Sequence, residues 1–200
     1  MPFGKHTLLA LAICAARLCS VSPTLAAPDL KQPLLASRVP VPETPQLTAA
    51  AVHAIFRIDK SENRNQVYYG ARVDEACRPQ GTSPVYAYWH MRERGPNVTE
   101  HLLEHEQQAY GIEAQQVLTR ARHGGSVRVR LNAWPDRPIT LELFPAANGC
   151  AARALLDIAH KPSVLQSIYI DIGFLFSINY AELKGVRIAD RSPVQEKVRR

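Results

Sequence analysis

Val85-Tyr86-Ala87-Tyr88-Trp89-His90-Met91-Arg92 alternates without a break. Val85, Ala87, Trp89 and Met91 fall on one side of an extended chain, and Tyr86, Tyr88, His90 and Arg92 on the other. A period of two in aromatic and β-branched residues reads as a strand with one face against a core. Upstream, His53-Ala54-Ile55-Phe56-Arg57-Ile58-Asp59 and Val67-Tyr68-Tyr69-Gly70-Ala71-Arg72-Val73 repeat the pattern. Ser61, Asn63 and Asn65 lie between them and predict a turn, so the two runs form a hairpin.

Downstream the same texture continues over about 114–122, 126–134, 138–145, 150–159, 164–174 and 177–188. His123-Gly124-Gly125, Pro135-Asp136-Arg137, Asn148-Gly149 and Lys161-Pro162 punctuate it. One helix is predicted near 98–110, with Pro96 and Asn97 before it, Glu100 three residues after Asn97, and Gly111 to close it. The fold class is therefore mainly β, an antiparallel meander of about eight or nine strands forming a barrel or sandwich, with one α-helix. The short connections favour a closed or nearly closed meander.

The start of the chain has a different character. Lys5 and His6 precede an uncharged run from Leu8 to Ala16, and small residues close the segment at Thr24-Leu25-Ala26-Ala27. These are the three parts of a secretory signal, predicted to be cleaved after Ala26. Arg17 breaks the apolar run, which is too short to span a membrane. Pro28, Pro33, Pro40, Pro42 and Pro45 make 27–50 an extended tether. The expected organisation is signal peptide 1–26, tether 27–50, one β-rich domain 51–190 and a polar basic tail 191–200. The protein is expected to be exported, to the periplasm or beyond, with no transmembrane segment in the mature chain.

Cleavage would remove Cys14 and Cys19 and leave Cys77 and Cys150, an even pair that favours a disulfide in an oxidising compartment. If each connection reverses direction and the helix stays at one end, both cysteines fall at the same end of the strands. Two buried thiols are the alternative. The chain of 200 residues has a formal net charge of +6, and its basic residues are scattered. No basic helix or aromatic-basic sheet signature points to nucleic acid. A small polar ligand or an anionic envelope surface is the expected kind of partner, and no cofactor is expected.

Three constellations carry chemistry. His101-Leu102-Leu103-Glu104-His105 spells the inverted zinc-protease motif, with Glu182 as a downstream third ligand. On a helical wheel, however, Glu104 points away from the apolar side formed by Leu102, Leu103, Ala109 and Tyr110. Glu106 falls inside that apolar stripe, so it needs a proton, a pairing partner or a hydrogen bond. Arg92, Arg57 or a tyrosine hydroxyl would serve. Glu106 is then either a strut joining helix to sheet or a tuned acid in a pocket. Tyr86, Tyr88, His90 and Arg92 share a strand face; Arg128, Arg130, Glu142, Tyr169 and Asp171 take polar positions on other strands. These faces either line a polar cavity or form a solvated surface with cross-strand pairs. No G-x-S-x-G motif is present, and neither Ser61 nor Ser83 has a neighbouring His.

The stretch from Phe56-Arg57-Ile58 through Ser61, Asn63, Asn65, Val67 and Tyr69 resembles an uncharacterised family of exported bacterial β-rich domains. Pro84-Val85, Tyr88-Trp89, Glu106 and Ala109-Tyr110-Gly111 belong to the same resemblance. Its marks are a paired-Asn turn, a Pro-Val…Tyr-Trp strand and an Ala-Tyr-Gly helix end, matched closely over about 52–112. Asp59-Lys60 departs from the more basic pattern before the Ser. The resemblance implies a β-rich exported domain and supplies no activity. The leading expectation is a non-enzymatic binding or structural module of the cell envelope. The alternatives are an envelope hydrolase using Glu106 and His90 with the Tyr/Arg strand face, and a zinc-dependent hydrolase.

Overall fold

The computed structural model describes residues 51–174 and 178–199. The expected signal peptide and Pro-rich tether lie outside the described residues. Alternation builds the strands. In β6 (Gly125–Leu131), Val127, Val129 and Leu131 are buried while Arg128 and Arg130 are exposed, and its neighbours β5 (Ile112–Arg120) and β7 (Trp134–Ala146) pair with it antiparallel. β8 (Gly149–Ile158) continues this leaf.

A second leaf runs from β1 (Ala51–Lys60) through β2 (Gln66–Arg72) and β3 (Val85–His90) to the short edge strand β4 (Thr99–His101). The two leaves meet on β9 (Lys161–Ile172). β10 (Ile178–Arg187) runs along one edge of β9. The other edge is divided: Lys161 to Leu165 pair antiparallel with β8, and Ser167 to Ile170 pair parallel with β1. One core fills the space between the leaves, with Phe56, Ile58, Tyr69, Trp89, Leu141 and Ile158 among its largest members.

The domain is mainly β, as expected, but among the described residues there are one helix and eleven strands, and the β1–β9 junction makes the sheet mixed. The path ends at β4 on one side and β5 on the other, so the barrel is not closed. A side chain bridges the gap. The Gln115 carboxamide on β5 accepts from the Val85 N–H at 2.8 Å and donates to the Val85 carbonyl at 3.2 Å.

Two boundaries move. The helix α1 is Glu104–Tyr110, not 98–110, because Thr99 to His101 pair with the free edge of β3. Residues expected in the polar tail form β11 (Pro193–Val198), which pairs with β10; Glu196 there accepts two hydrogen bonds from Arg137, each at 3.0 Å.

The Cys77–Cys150 disulfide is present, joining the β2–β3 loop to the start of β8 with 5.4 Å between Cα atoms. It lies at the end of the strands reached by Arg72 and left by Val85. Lys60, Gln66 and His90 mark the opposite end. No helix among the described residues is long and apolar enough to cross a membrane.

Candidate functional site

Phe56, Ile58 and Lys60 are successive inward positions of β1. The first two fill the core. The third reaches the end of the sheet, opposite Ile170, and its side chain is only 9% exposed. Its ammonium sits 4.6 Å from the Trp89 ring centroid and 5.8 Å from that of Tyr110. Both distances suit a cation against an aromatic face. The Glu62 carboxylate is 3.8 Å away, beyond hydrogen-bond length. Among the described residues, Lys60 Nζ makes no hydrogen bond.

Trp89 is the inward residue of β3 at the same end. Its Nε1–H donates to Glu106 Oε2 at 2.7 Å, and the Leu103 N–H donates to the same oxygen at 2.8 Å. Glu106 thus caps the first turn of α1 and holds the indole in place. Trp89 and Tyr110 meet edge to face at 5.6 Å. Burial pushes the Tyr110 phenol up, and the Glu62 and Glu106 carboxylates add to this. Below them, Tyr69 stacks on Phe56 and donates to the Tyr110 carbonyl at 2.5 Å. Burial also raises the Tyr69 phenol.

These groups form one wall of an open cleft of about 520 Å³. Ala133, Ile170, Ile172 and Ile178 form the apolar wall facing them. Ala133, Ile170 and Ile178 also border a deeper apolar hollow of about 50 Å³ that reaches Leu131, Trp134 and Val198. An apolar cleft with a few convergent polar groups at the mouth of a barrel-like sheet is the usual form of a small-ligand site.

Glu106 is satisfied as its place on the apolar stripe requires, but by Trp89 and the backbone, not by Arg57, Arg92 or a tyrosine hydroxyl. Arg57 instead pairs with Asp59 at 3.1 Å. Tyr86, Tyr88 and His90 do come together, on the outer face of the second leaf. Tyr68 lies 6.0 Å from Tyr88 and 5.5 Å from His90, and the Tyr86 hydroxyl meets His53 Nδ1 at 2.8 Å. Burial, with Tyr88 adding, pushes the Tyr86 phenol up to about 12. The Tyr86 ring lies across Gly70, where an added Cβ would meet it at 2.8 Å.

Arg92 follows the strand and lies in the loop, beside Asn63 and Asn65. Strand parity therefore separates the grouping expected for a hydrolase. Glu106 is on the inner side of β3, while Tyr86, Tyr88 and His90 are on the outer side. Arg130 pairs with Glu113 at 3.3 Å and Arg153 with Glu142 at 2.6 Å, both as exposed cross-strand pairs.

The zinc motif is likewise divided. His101 lies on β4, His105 on α1 and Glu182 on β10, where Lys184 pairs with Glu182 at 2.7 Å. Two imidazoles one helical turn apart do not form here. Among the described residues, no group of three or more His, Cys, Asp or Glu is placed to hold a metal ion.

Residues 56–197 match the family described as a domain of unknown function, DUF4833. The chain belongs to the DUF4833 family. Neither a curated protein nor a solved structure matches it. The marks that carry the resemblance now have structural reasons in this DUF4833 domain. Asn63 Oδ1 accepts from the Asn65 N–H, and Asn65 Oδ1 accepts from the Glu93 N–H, so the paired Asn fold the turn and fasten the next loop. Gly111 closes α1 where a Cβ would lie 2.2 Å from the Gln107 carbonyl oxygen. Lys60, Glu62 and Tyr110 are not among the site residues that the sequence singles out. The alternation Phe56-x-Ile58-x-Lys60 was the signal that places Lys60 inward.

Proposed function

We propose that this DUF4833 domain is an exported, non-catalytic binding module of the cell envelope, and that its ligand site is the cleft at the Lys60 end. One observation supports this most: a side chain nine-tenths buried delivers a charged ammonium into a cleft of about 520 Å³ without a hydrogen bond to receive it. A buried charge lacking hydrogen-bond acceptors costs stability unless a partner completes it. The Trp89 and Tyr110 rings and the Glu62 carboxylate 3.8 Å away offset part of that cost. A ligand oxygen would offset the rest, and the isoleucine wall would take an apolar body.

The chain has two tryptophans, Trp89 and Trp134. Trp134→Phe therefore leaves the cleft indole as the sole tryptophan, which can be excited selectively over the tyrosines. Titrating that variant with a panel of small polar and amphipathic compounds is expected to shift its emission saturably for some of them. Lys60→Met is expected to remove the response while the fold persists by circular dichroism. A panel that leaves Trp89 unmoved, or a response indifferent to Lys60, rejects the reading.

A further inference from the structure

The charges around the cleft restrict what enters it. Lys60 contributes one cation; Glu62 and Glu106 contribute two anions, and the aromatic faces of Trp89 and Tyr110 are turned to the Lys60 ammonium. A simple anion would reach Lys60 only by approaching Glu62, which is 3.8 Å from the same ammonium. A simple cation would meet the Lys60 ammonium already against the rings. Either one leaves a like-charge contact in a partly desolvated place, where it is costly.

A ligand bearing both charges side by side satisfies the arrangement. Its carboxylate completes the Lys60 ammonium, and its ammonium completes Glu62, so the four charges alternate. Because Lys60 Nζ and Glu62 are so close, the ligand's own two charges must also be close, as they are when both sit on one carbon. The facing wall of Ile170, Ile172 and Ile178 then takes an apolar side chain.

We propose that the ligand is a free α-amino acid with an apolar side chain, held by Lys60 at its carboxylate and by Glu62 at its ammonium. This rests on the cleft being the ligand site. Binding replaces water around the Lys60 ammonium and the Glu62 carboxylate with the ligand's carboxylate and ammonium, and no covalent bond forms or breaks.

The test compares leucine, N-acetylleucine, leucinamide and 6-aminohexanoate on the intact mature protein by calorimetry and by the Trp89 indole NMR signal. Leucine is expected to bind. The acetylated compound lacks the ammonium, the amide lacks the carboxylate, and 6-aminohexanoate holds the two charges far apart; each is expected to bind at least tenfold more weakly. Lys60→Met should reduce leucine affinity at least tenfold yet strengthen leucinamide, whose ammonium no longer meets a like charge. Glu62→Gln should reduce leucine affinity but strengthen N-acetylleucine, whose carboxylate no longer meets a like charge beside Lys60. Equal binding of leucine and N-acetylleucine, or no binding of leucine while another compound moves Trp89, overturns the amino-acid assignment and leaves the cleft reading standing. A Trp89 signal that no compound moves overturns both.

Discussion

The two ends of the strands are closed by different means. At the cysteine end, the loop from Val73 to Pro84 is held by several hydrogen bonds. Asp74 accepts from the Ala76 and Arg78 N–H groups, the Gly124 N–H donates to the Ala76 carbonyl at 2.6 Å, and Arg120 donates to the Gly81 carbonyl at 2.8 Å. The Cys77–Cys150 bond then fixes the loop to the other leaf. At the Lys60 end β1 pairs with β9, but an open cleft bordered by α1 remains beside the pairing, and an ammonium is left without a hydrogen bond. A barrel that is open along one seam needs one firm end if the other is to keep a cleft. The comparison predicts that substitutions at the cysteine end act on stability, and those around Lys60 act on binding.

The largest expected effect follows from Cys77→Ser with Cys150→Ser. Removing a bond that closes a loop of 73 residues should cost about 2–4 kcal/mol. Thermal denaturation of the protein, with and without reductant, measures it. Leucine affinity measured well below the new Tm should change little. An intact Tm in the double variant would mean that the two ends do not differ as described.

Glu106→Ala comes next. It strands the Trp89 indole N–H and the Leu103 N–H together, and a lost acceptor of this kind costs about 1–3 kcal/mol. Glu106→Gln keeps one acceptor oxygen and should recover most of that by denaturant titration. If Gln behaves like Ala, the charge of Glu106 matters more than its role as an acceptor. This pair of variants locates the boundary between the firm frame and the site, since Glu106 borders the cleft from the helix side.

The outer face at the cysteine end supplies a smaller, pH-dependent test. Burial holds the His53 imidazole below its ordinary value of 6.5, where the neutral ring meets the Tyr86 hydroxyl. The unfolded chain takes the proton first. The contribution is therefore complete above about pH 6.5 and falls away as the pH drops from there through the lowered folded value. Between pH 7.5 and 5.5 the wild-type Tm should fall further than that of His53→Gln. Parallel Tm curves for the two proteins would remove His53 from the account.

The strands were legible because alternation is a local signal: Val127, Val129 and Leu131 announce a buried face with no knowledge of their partners. The branch at β9 was not. Ser163-Val164-Leu165-Gln166-Ser167-Ile168 reads as one strand, and nothing in it tells that its edge changes partner from β8 to β1 near Gln166. Counting reversals also misses a parallel pair made by residues more than 100 positions apart. Thr99-Glu100-His101 is too short to show a period and could be read as the first turn of the helix, until the free edge of β3 decides it. Glu106 was legible because a carboxylate on an apolar stripe conflicts with its surroundings. Lys60 was not, because a lysine at the end of a strand usually marks the exit to solvent.

Lys60→Met should therefore have the smallest effect on stability and the sharpest effect on binding. The substitution removes the contacts to the Trp89 and Tyr110 rings, worth about 0.5–2 kcal/mol. It also removes the cost of holding an ammonium in a cleft without a hydrogen bond, and a methionine thioether packs well against aromatic rings. The two terms oppose each other, so the net change in unfolding free energy should stay within about 1 kcal/mol and could favour the variant. Denaturant titration of Lys60→Met beside the cysteine double variant measures both ends on one scale. A stability loss at Lys60 as large as that at the cysteines would make the ammonium part of the frame, and the cleft would lose its strongest claim to a ligand.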